Sequence, residues 1–279
     1  MSPELIAKAR AFREANSRGQ LLLPNAWDAV SARIFEDAGF PSMGTTSAGI
    51  AFTRGVRDGQ RVTRETMMHE VHTIASAVRV PVTADIESGY GSEPEAVSST
   101  VRAALQAGAV GINLEDNTHT SGGAPLFELR PQSDRIRAAR READAHGVPL
   151  TINARTDTFL MQVGSNDAER MRMSVERGLA YLSAGADLVF VPGLLDLAAL
   201  RTLSAAFEGR ISVMAGPGAP NASELFEAGV RRVSVGPAAM LATLGCLRAL
   251  AQDMRSNGGW SKIEASFLGF SAVQALFRA

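Results

Sequence analysis

Asp85, Glu87, Glu115 and Asp116 fall in two tight groups, Asp85-Ile86-Glu87 and Glu115-Asp116, each directly after a short apolar run. Carboxylates gathered at one place repel one another. A hard divalent cation relieves that repulsion, and Mg²⁺ takes one or two carboxylates and completes its shell with water and substrate oxygens. Any single one of the four reads equally well as a helix cap or an ion-pair partner; the set reads as a metal site. Arg155, in Asn153-Ala154-Arg155-Thr156-Asp157, is the one basic residue placed directly at the end of an apolar run. Its planar guanidinium suits bidentate binding of a carboxylate or a developing enolate oxygen, and it can pair with Glu115 or Asp157 at the same time. His119, in the long segment 117–131, is a candidate acid or base on a lid, and Asp28 is placed to cap a helix.

These side chains need a scaffold that brings distant segments to one place. Eight short apolar runs recur along the chain: 21–23, 42–46, 81–84, 110–114, 150–154, 188–191, 211–215 and 232–235. Each is followed by a loop and then a helix-sized segment, as at 96–107, 134–146, 167–184 and 222–228. Runs of four or five apolar residues without strict alternation suit strands buried on both faces. Ala-Gly pairs before several strands (Ala38-Gly39, Ala107-Gly108, Ala184-Gly185, Ala228-Gly229) mark helix ends turning back into strands. Alternating strands and helices specify a parallel sheet, and eight of them in 279 residues fit one closed (β/α)₈ barrel, which needs about 250. The expected organisation is a single domain over 1–279, with 238–279 as a helical extension containing helices at 238–254 and 263–277. The second of these is apolar enough to require cover, from a neighbouring subunit or from its own barrel. In a parallel barrel the active site lies at the C-terminal ends of the strands, where Asp85, Glu87, Glu115 and Arg155 all fall.

Composition narrows the function classes. The net charge is −1 and no basic stripe interleaves with aromatics, so nucleic acid is not an expected partner. Arg231 and Arg232, like Arg137, Arg140 and Arg141, read as solvated helix ends or faces. A single cysteine, Cys246, excludes a disulfide framework and suits a reducing cytoplasm. There is no secretory h-region and no run of 18 apolar residues, so no membrane span is expected. The common nucleotide, zincin and serine-hydrolase motifs are missing.

The residues together resemble the isocitrate lyase/phosphoenolpyruvate mutase superfamily. Asp85-Ile86-Glu87-Ser88-Gly89-Tyr90-Gly91 is similar to its Asp-x-Asp/Glu-x-Gly-Tyr-Gly metal motif; Leu114-Glu115-Asp116, Ala154-Arg155-Thr156-Asp157 and the gating segment Gly55-Val56-Arg57-Asp58-Gly59 match other parts, and the likeness spans about 21–244. The resemblance implies Mg²⁺, or Mn²⁺ in its place, near Asp85 and Glu87, with Glu115 and Asp58 acting through water. It implies that Arg155 and the turn Thr46-Ser47-Ala48 hold a small 2-oxo or 2-hydroxy acid, with Asp85 beside it. It further implies a homotetramer, a dimer of dimers, whose barrels exchange the last helix. The lid departs from the pattern: the Lys-Lys-Cys-Gly of the carbon–carbon lyases is replaced by Asn117-Thr118-His119-Thr120-Ser121-Gly122-Gly123, and the lysine and asparagine of the phosphonomutase branch are missing too. What remains is the shared enolate-stabilising core. The resulting expectation is a lyase-type enzyme cleaving a C–C bond of an oxaloacetate- or substituted-malate-like acid. P–C chemistry on phosphonopyruvate, or binding of a 2-oxo acid without turnover, are the alternatives.

Overall fold

A computed structural model describes residues 1–277; the last two residues of the expected domain, 278 and 279, lie outside it. In chain order the elements are α1 (Pro3–Arg18), β1 (Leu21–Leu23), β2 (Asn25–Ala26), α2 (Ala29–Asp37), β3 (Met43–Thr45), α3 (Ser47–Thr53), α4 (Arg64–Ala77), β4 (Val82–Asp85), α5 (Pro94–Gln106) and β5 (Gly111–Glu115). They continue with α6 (Leu129–Ala145), β6 (Thr151–Arg155), α7 (Asp167–Ser183), β7 (Leu188–Phe190), α8 (Leu197–Ala206), β8 (Ile211–Met214), α9 (Ala222–Glu227), β9 (Arg232–Ser234), α10 (Ala238–Asn257), α11 (Ser261–Ser266) and α12 (Phe270–Ala275).

The strands of the sheet pair in parallel, in the order β1-β9-β8-β7-β6-β5-β4-β3-β2, and an isolated antiparallel bridge joins Asn117 to Leu126 in the loop after β5. β1 and β2 are one barrel strand interrupted at Pro24, whose ring removes the N–H a continuous ladder needs. β1 pairs with β9 and β2 with β3, so the sheet closes into an eight-position barrel, as the alternation of runs and helices requires. Asn25 ties the closure: its Nδ2 donates to Thr45 O at 2.9 Å, and its Oδ1 accepts from Val235 N and Gly236 N at 3.0 and 2.9 Å. Asp28 caps α2 through a reciprocal capping box with Ser31. At the opposite end α1 plugs the barrel with fully buried Phe12, and Gly111 is required there because a Cβ would lie 2.8 Å from the Phe12 ring.

Strands β5 and β6 are buried on both faces, as expected, but they do alternate. Ile112, Leu114, Ile152 and Ala154 pack in the apolar layer under the helices, while Asn113 and Asn153 face each other across the ladder inside the barrel. Ser212 Oγ on β8 donates to Asn153 Oδ1 at 2.9 Å, bypassing β7 through the interior. The solvated reading of Arg232 is overturned by the same alternation: it is 1% exposed and points into the barrel, while its neighbour Arg231 turns outward to Ser17 of α1. Arg140 is also drawn inward, to Asp187 at 2.6 Å.

The extension differs from expectation in its last helix. The segment 263–277 is not continuous: Gly269, at φ +90°, separates α11 from α12. α10 in turn runs to Asn257 and ends on Gly258 in the left-handed conformation. The barrel does not cover the extension. Phe267 and Phe270 are 69% and 76% exposed, and Leu241, Leu244 and Leu247 of α10 are open as well.

Helix-to-helix contact around the rim is tight enough to test. A Cβ on Gly178 of α7 would sit 2.3 Å from the buried Phe207 ring that ends α8. Gly178→Ala should therefore lower stability by about 1–3 kcal/mol, read as a lower thermal midpoint, and adding Phe207→Leu should recover part of the loss. An unchanged midpoint for the single variant would show that the ring yields freely.

Candidate active site

The C-terminal ends of β3, β4, β5 and β6 bring the predicted residues together. Asp85 ends β4, and its Oδ2 accepts from Ser47 Oγ at 2.7 Å and Ser47 N at 3.2 Å. Its backbone N–H donates to Thr45 Oγ1. Thr46 caps α3 by accepting from Gly49 N, so Thr46, Ser47 and Ala48 form a buried turn beside the carboxylate.

Glu87 follows at φ +50°, in the loop that carries Tyr90 at φ +60°. It is 3% exposed; Tyr90 Oη donates to its Oε1 at 3.5 Å, and its Oε2 is buried with no hydrogen-bond partner. Burial first, then the charges of Asp85, Glu115 and Asp58, push this carboxyl up to about 9. Gln60 braces the loop, its Oε1 accepting from Ser88 Oγ and Tyr90 N at 2.9 and 3.1 Å. From below, fully buried Arg135 of α6 donates to Ser88 O and Gln132 Oε1, and Gln132 Nε2 donates to Glu115 O at 3.2 Å.

Both oxygens of Glu115 are engaged. Oε1 lies 2.7 Å from His119 Nε2 and Oε2 lies 2.8 Å from Arg155 Nη1. Burial raises the Glu115 carboxyl, with Arg155 and His119 pulling it back. Arg155 also forks onto Asp157, Nε to Oδ1 at 2.5 Å and Nη2 to Oδ2 at 2.9 Å. Burial alone would lower this guanidinium, but Glu115 and Asp157 hold it well above its ordinary range. The structure thus shows the expected ion pairs of Arg155 with both acids. His119, at φ +52°, is fixed by its N–H to Asn117 Oδ1 and lies 4.0 Å from Glu87 Oε2.

Asp116 separates from the group. Although adjacent to Glu115, it turns toward the helices, accepting from Tyr181 Oη at 2.7 Å, Arg177 Nη1 at 3.1 Å and Asp157 N at 2.9 Å. It anchors α7 to the barrel and is corrected from the list of mouth carboxylates. Asp58 is exposed on its loop, yet partial desolvation and Asp85 raise its carboxyl, opposed by Gly59 N–H, Arg155 and His119. Three contributors escaped the sequence reading: Gln60, Arg135 and Phe190, whose ring lies 5.8 Å from the Arg155 guanidinium. Gln60 stands one residue beyond the gating segment. Arg135 belongs to a helix with several arginines, and only its burial distinguishes it.

Asp85, Glu115, Asp157 and Asp58 thus act on the single guanidinium of Arg155, with Glu87 adjoining Asp85 and Glu115. The donor set is all oxygen, as a hard cation prefers, and the orphaned Glu87 Oε2 beside Asp85 is an acceptor without a donor. Among the described residues no three His, Cys, Asp or Glu side chains converge into a ready-made metal cage. Asp85 and Glu87 fit direct contact, and Glu115, with both oxygens taken, fits a role through water.

The chain has clear relatives. An uncharacterized protein of Mycobacterium tuberculosis is 33% identical over 81% of this chain and 81% of its own. An oxaloacetate decarboxylase of Rhodopseudomonas palustris is 31% identical over 65% of this chain and 62% of its own. A crystal structure from Burkholderia cenocepacia J2315, described only by the class lyase/mutase, superposes with a TM-score of 0.92 at 34% identity, covering 100% of this chain and 98% of that one. Other relatives carry the names 2-methylisocitrate lyase and phosphonopyruvate hydrolase. The model of the phosphoenolpyruvate phosphomutase family matches residues 12–255, and the chain belongs to that family, within the phosphoenolpyruvate mutase/isocitrate lyase superfamily of enzymes.

Proposed function

We propose that the protein is a Mg²⁺-dependent carbon–carbon lyase acting on a small 2-oxo- or 2-hydroxycarboxylate of the oxaloacetate or substituted-malate type. The observation that carries this reading is the buried Glu87 Oε2, without a hydrogen-bond partner, close to Asp85 and to the Glu115 that Arg155 pairs with. Mg²⁺, or Mn²⁺ in its place, would supply a Lewis acid for the 2-oxo oxygen. Arg155 places fixed positive charge where negative charge develops as the bond to C3 breaks. The turn Thr46-Ser47-Ala48 holds the substrate carboxylate beside Asp85. His119 stands where a lid acid or base must stand and would move a proton to or from C3, with Glu115 holding its Nε2 and Asp58 ordering water at the rim.

NMR of the purified protein with Mg²⁺ tests this against oxaloacetate, isocitrate, 2-methylisocitrate, dimethylmalate and phosphonopyruvate, each with and without EDTA. One carbon–carbon cleavage product, lost in EDTA, is expected. Asp85→Ala should reduce its rate by at least about 10³-fold, the scale of losing a group essential to charge stabilisation. Full activity in Asp85→Ala would sink the proposal. Product from phosphonopyruvate alone would move the chemistry to the P–C bond.

Glu87 gives a second test. Its folded pKa of about 9 lies above the ordinary value of 4.5, so the protonated carboxyl favours the fold. That contribution is complete below the unfolded pKa and is lost as pH rises through the folded one. In EDTA the thermal midpoint should fall between pH 6 and pH 9, and Mg²⁺ should restore it at the alkaline end. Glu87→Gln should flatten the decline. A flat profile in the unsubstituted protein would contradict it.

We also infer a cytoplasmic homotetramer, a dimer of dimers exchanging its last helix. The exposed Phe267, Leu268 and Phe270 match in character a groove of about 400 Å³ lined by Trp27, Val30, Ile34, Phe35, Ala239 and Thr243. No helix among the described residues is long and apolar enough to cross a membrane, so a membrane-spanning role for α10 does not compete with this use of the apolar surface. Light scattering should show a tetramer for the unsubstituted chain and a smaller species for Phe267→Asp/Phe270→Asp. A monomer in both would refute the assembly.

A further inference from the structure

Arg232 carries a charge that the site as described does not use. It opens β9, is 1% exposed, and donates through Nη2 to Asn113 Oδ1 on β5 at 3.0 Å. β9 and β5 are separated by β8, β7 and β6 in the sheet, so this bond spans the barrel interior. Its Nε and Nη1 are buried without partners. The groups bonded around it, Asn113, Asn153 and Ser212, are neutral. Among the described residues it forms no ion pair. Buried arginines are rare unless paired, because desolvating a charge without compensation costs several kcal/mol.

The compensation available is at longer range. Asn113 is the register partner of Asp85 on the neighbouring strand, so the guanidinium is bonded directly to the residue paired with the first carboxylate of the site. Between them lies protein interior, where charges act at low dielectric and are little screened by salt. Burial pushes the guanidinium down to about 10, with Asp85 pulling the other way, so it stays charged at neutral pH.

We propose that Arg232 is an electrostatic positioning residue: an unpaired cation inside the barrel that weakens the site's hold on its metal and strengthens its hold on the anionic substrate. This rests on reading the mouth as a cation-plus-carboxylate site. Without Arg232 the surrounding carboxylates would bind a divalent cation more tightly and repel a dianion more strongly. A purely structural tie would produce no such opposition.

Two variants test it: Arg232→Met, similar in length and uncharged, and Arg232→Gln, which keeps an N–H for Asn113. Folding is followed by circular dichroism and thermal midpoint. Mg²⁺ affinity is measured calorimetrically on metal-free protein, and oxalate, a dianionic mimic of a pyruvate enolate, is titrated at saturating Mg²⁺. Mg²⁺ affinity should rise about tenfold and oxalate affinity fall about tenfold, the scale of one charge acting over about 10 Å of protein at an effective dielectric of about 20. Losses of both affinities together, no change in either, or failure of both variants to fold would overturn the proposal. If the unsubstituted protein binds no Mg²⁺ in the same titration, the reading of the site itself fails and takes this one with it. Normal binding there with silent variants removes Arg232 alone.

Discussion

Repulsion among buried carboxylates is the constraint around which this barrel is arranged. Asp85, Glu87, Glu115 and Asp157 are held close together with Arg155 as the guanidinium that touches two of them. Left alone such a group would shed charge by taking up protons, and the raised Glu87 and Glu115 carboxyls show that tendency. The fold resists it with positive charge at graded distances. Arg155 is in contact, Arg135 lies beneath the Glu87 loop, and Arg232 sits inside the barrel. Arg135 and Arg232 are both pushed down to about 10 by burial, so the cost of supporting the carboxylates is spread over several buried cations.

The backbone shows the same concentration of unfavourable terms. Among the described residues six non-glycine positions have positive φ, and Gln60, Glu87, Tyr90 and His119 of them belong to the site. Such conformations cost of order 1–3 kcal/mol each and persist only where surrounding contacts over-determine them. Here the contacts are visible. Gln60 Oε1 holds Ser88 and Tyr90, Arg135 holds Ser88 O, and Asn117 Oδ1 holds the His119 N–H. The Gln60 and Glu87–Tyr90 loops are therefore tied to each other and to α6, and the Asn117–His119 turn is braced by its own Asn117.

How far the sequence revealed this follows from periodicity. Residues directly after strands were legible because a parallel barrel gathers those ends at one rim, and Asp85, Glu87, Glu115 and Arg155 stand there as expected. Adjacent pairs were not resolved. Glu115 and Asp116 were grouped, yet neighbouring residues on a strand point to opposite faces, and Asp116 faces Tyr181 and Arg177 instead. Arg231 and Arg232 split in the same way. The Gly-Ile-Asn-Leu-Glu run already contains the alternation, and following it through places Glu115 inward and Asp116 outward. The break at Gly269 and the support from Gln60 and Arg135 carry no such signal, since they depend on contacts between segments far apart in the chain.

Under the proposed function, Arg155 combines structural pairing and ligand binding in one side chain. A guanidinium offers five N–H donors in a fixed fork. Nε and one N–H of Nη2 go to Asp157, and Nη1 forms an ion pair with Glu115 Oε2 at 2.8 Å. Asp157 takes the Nε side of the fork, and the edge between the two terminal nitrogens has the arrangement that matches two oxygens of one carboxylate or an adjacent carboxylate and oxo oxygen. The two acids thus fix the fork's orientation on one side, and the proposed 2-oxo acid would take the other edge. A lysine could not do both, because its single nitrogen has no rigid second edge. The ion pairs that make Arg155 look purely structural are what aim it.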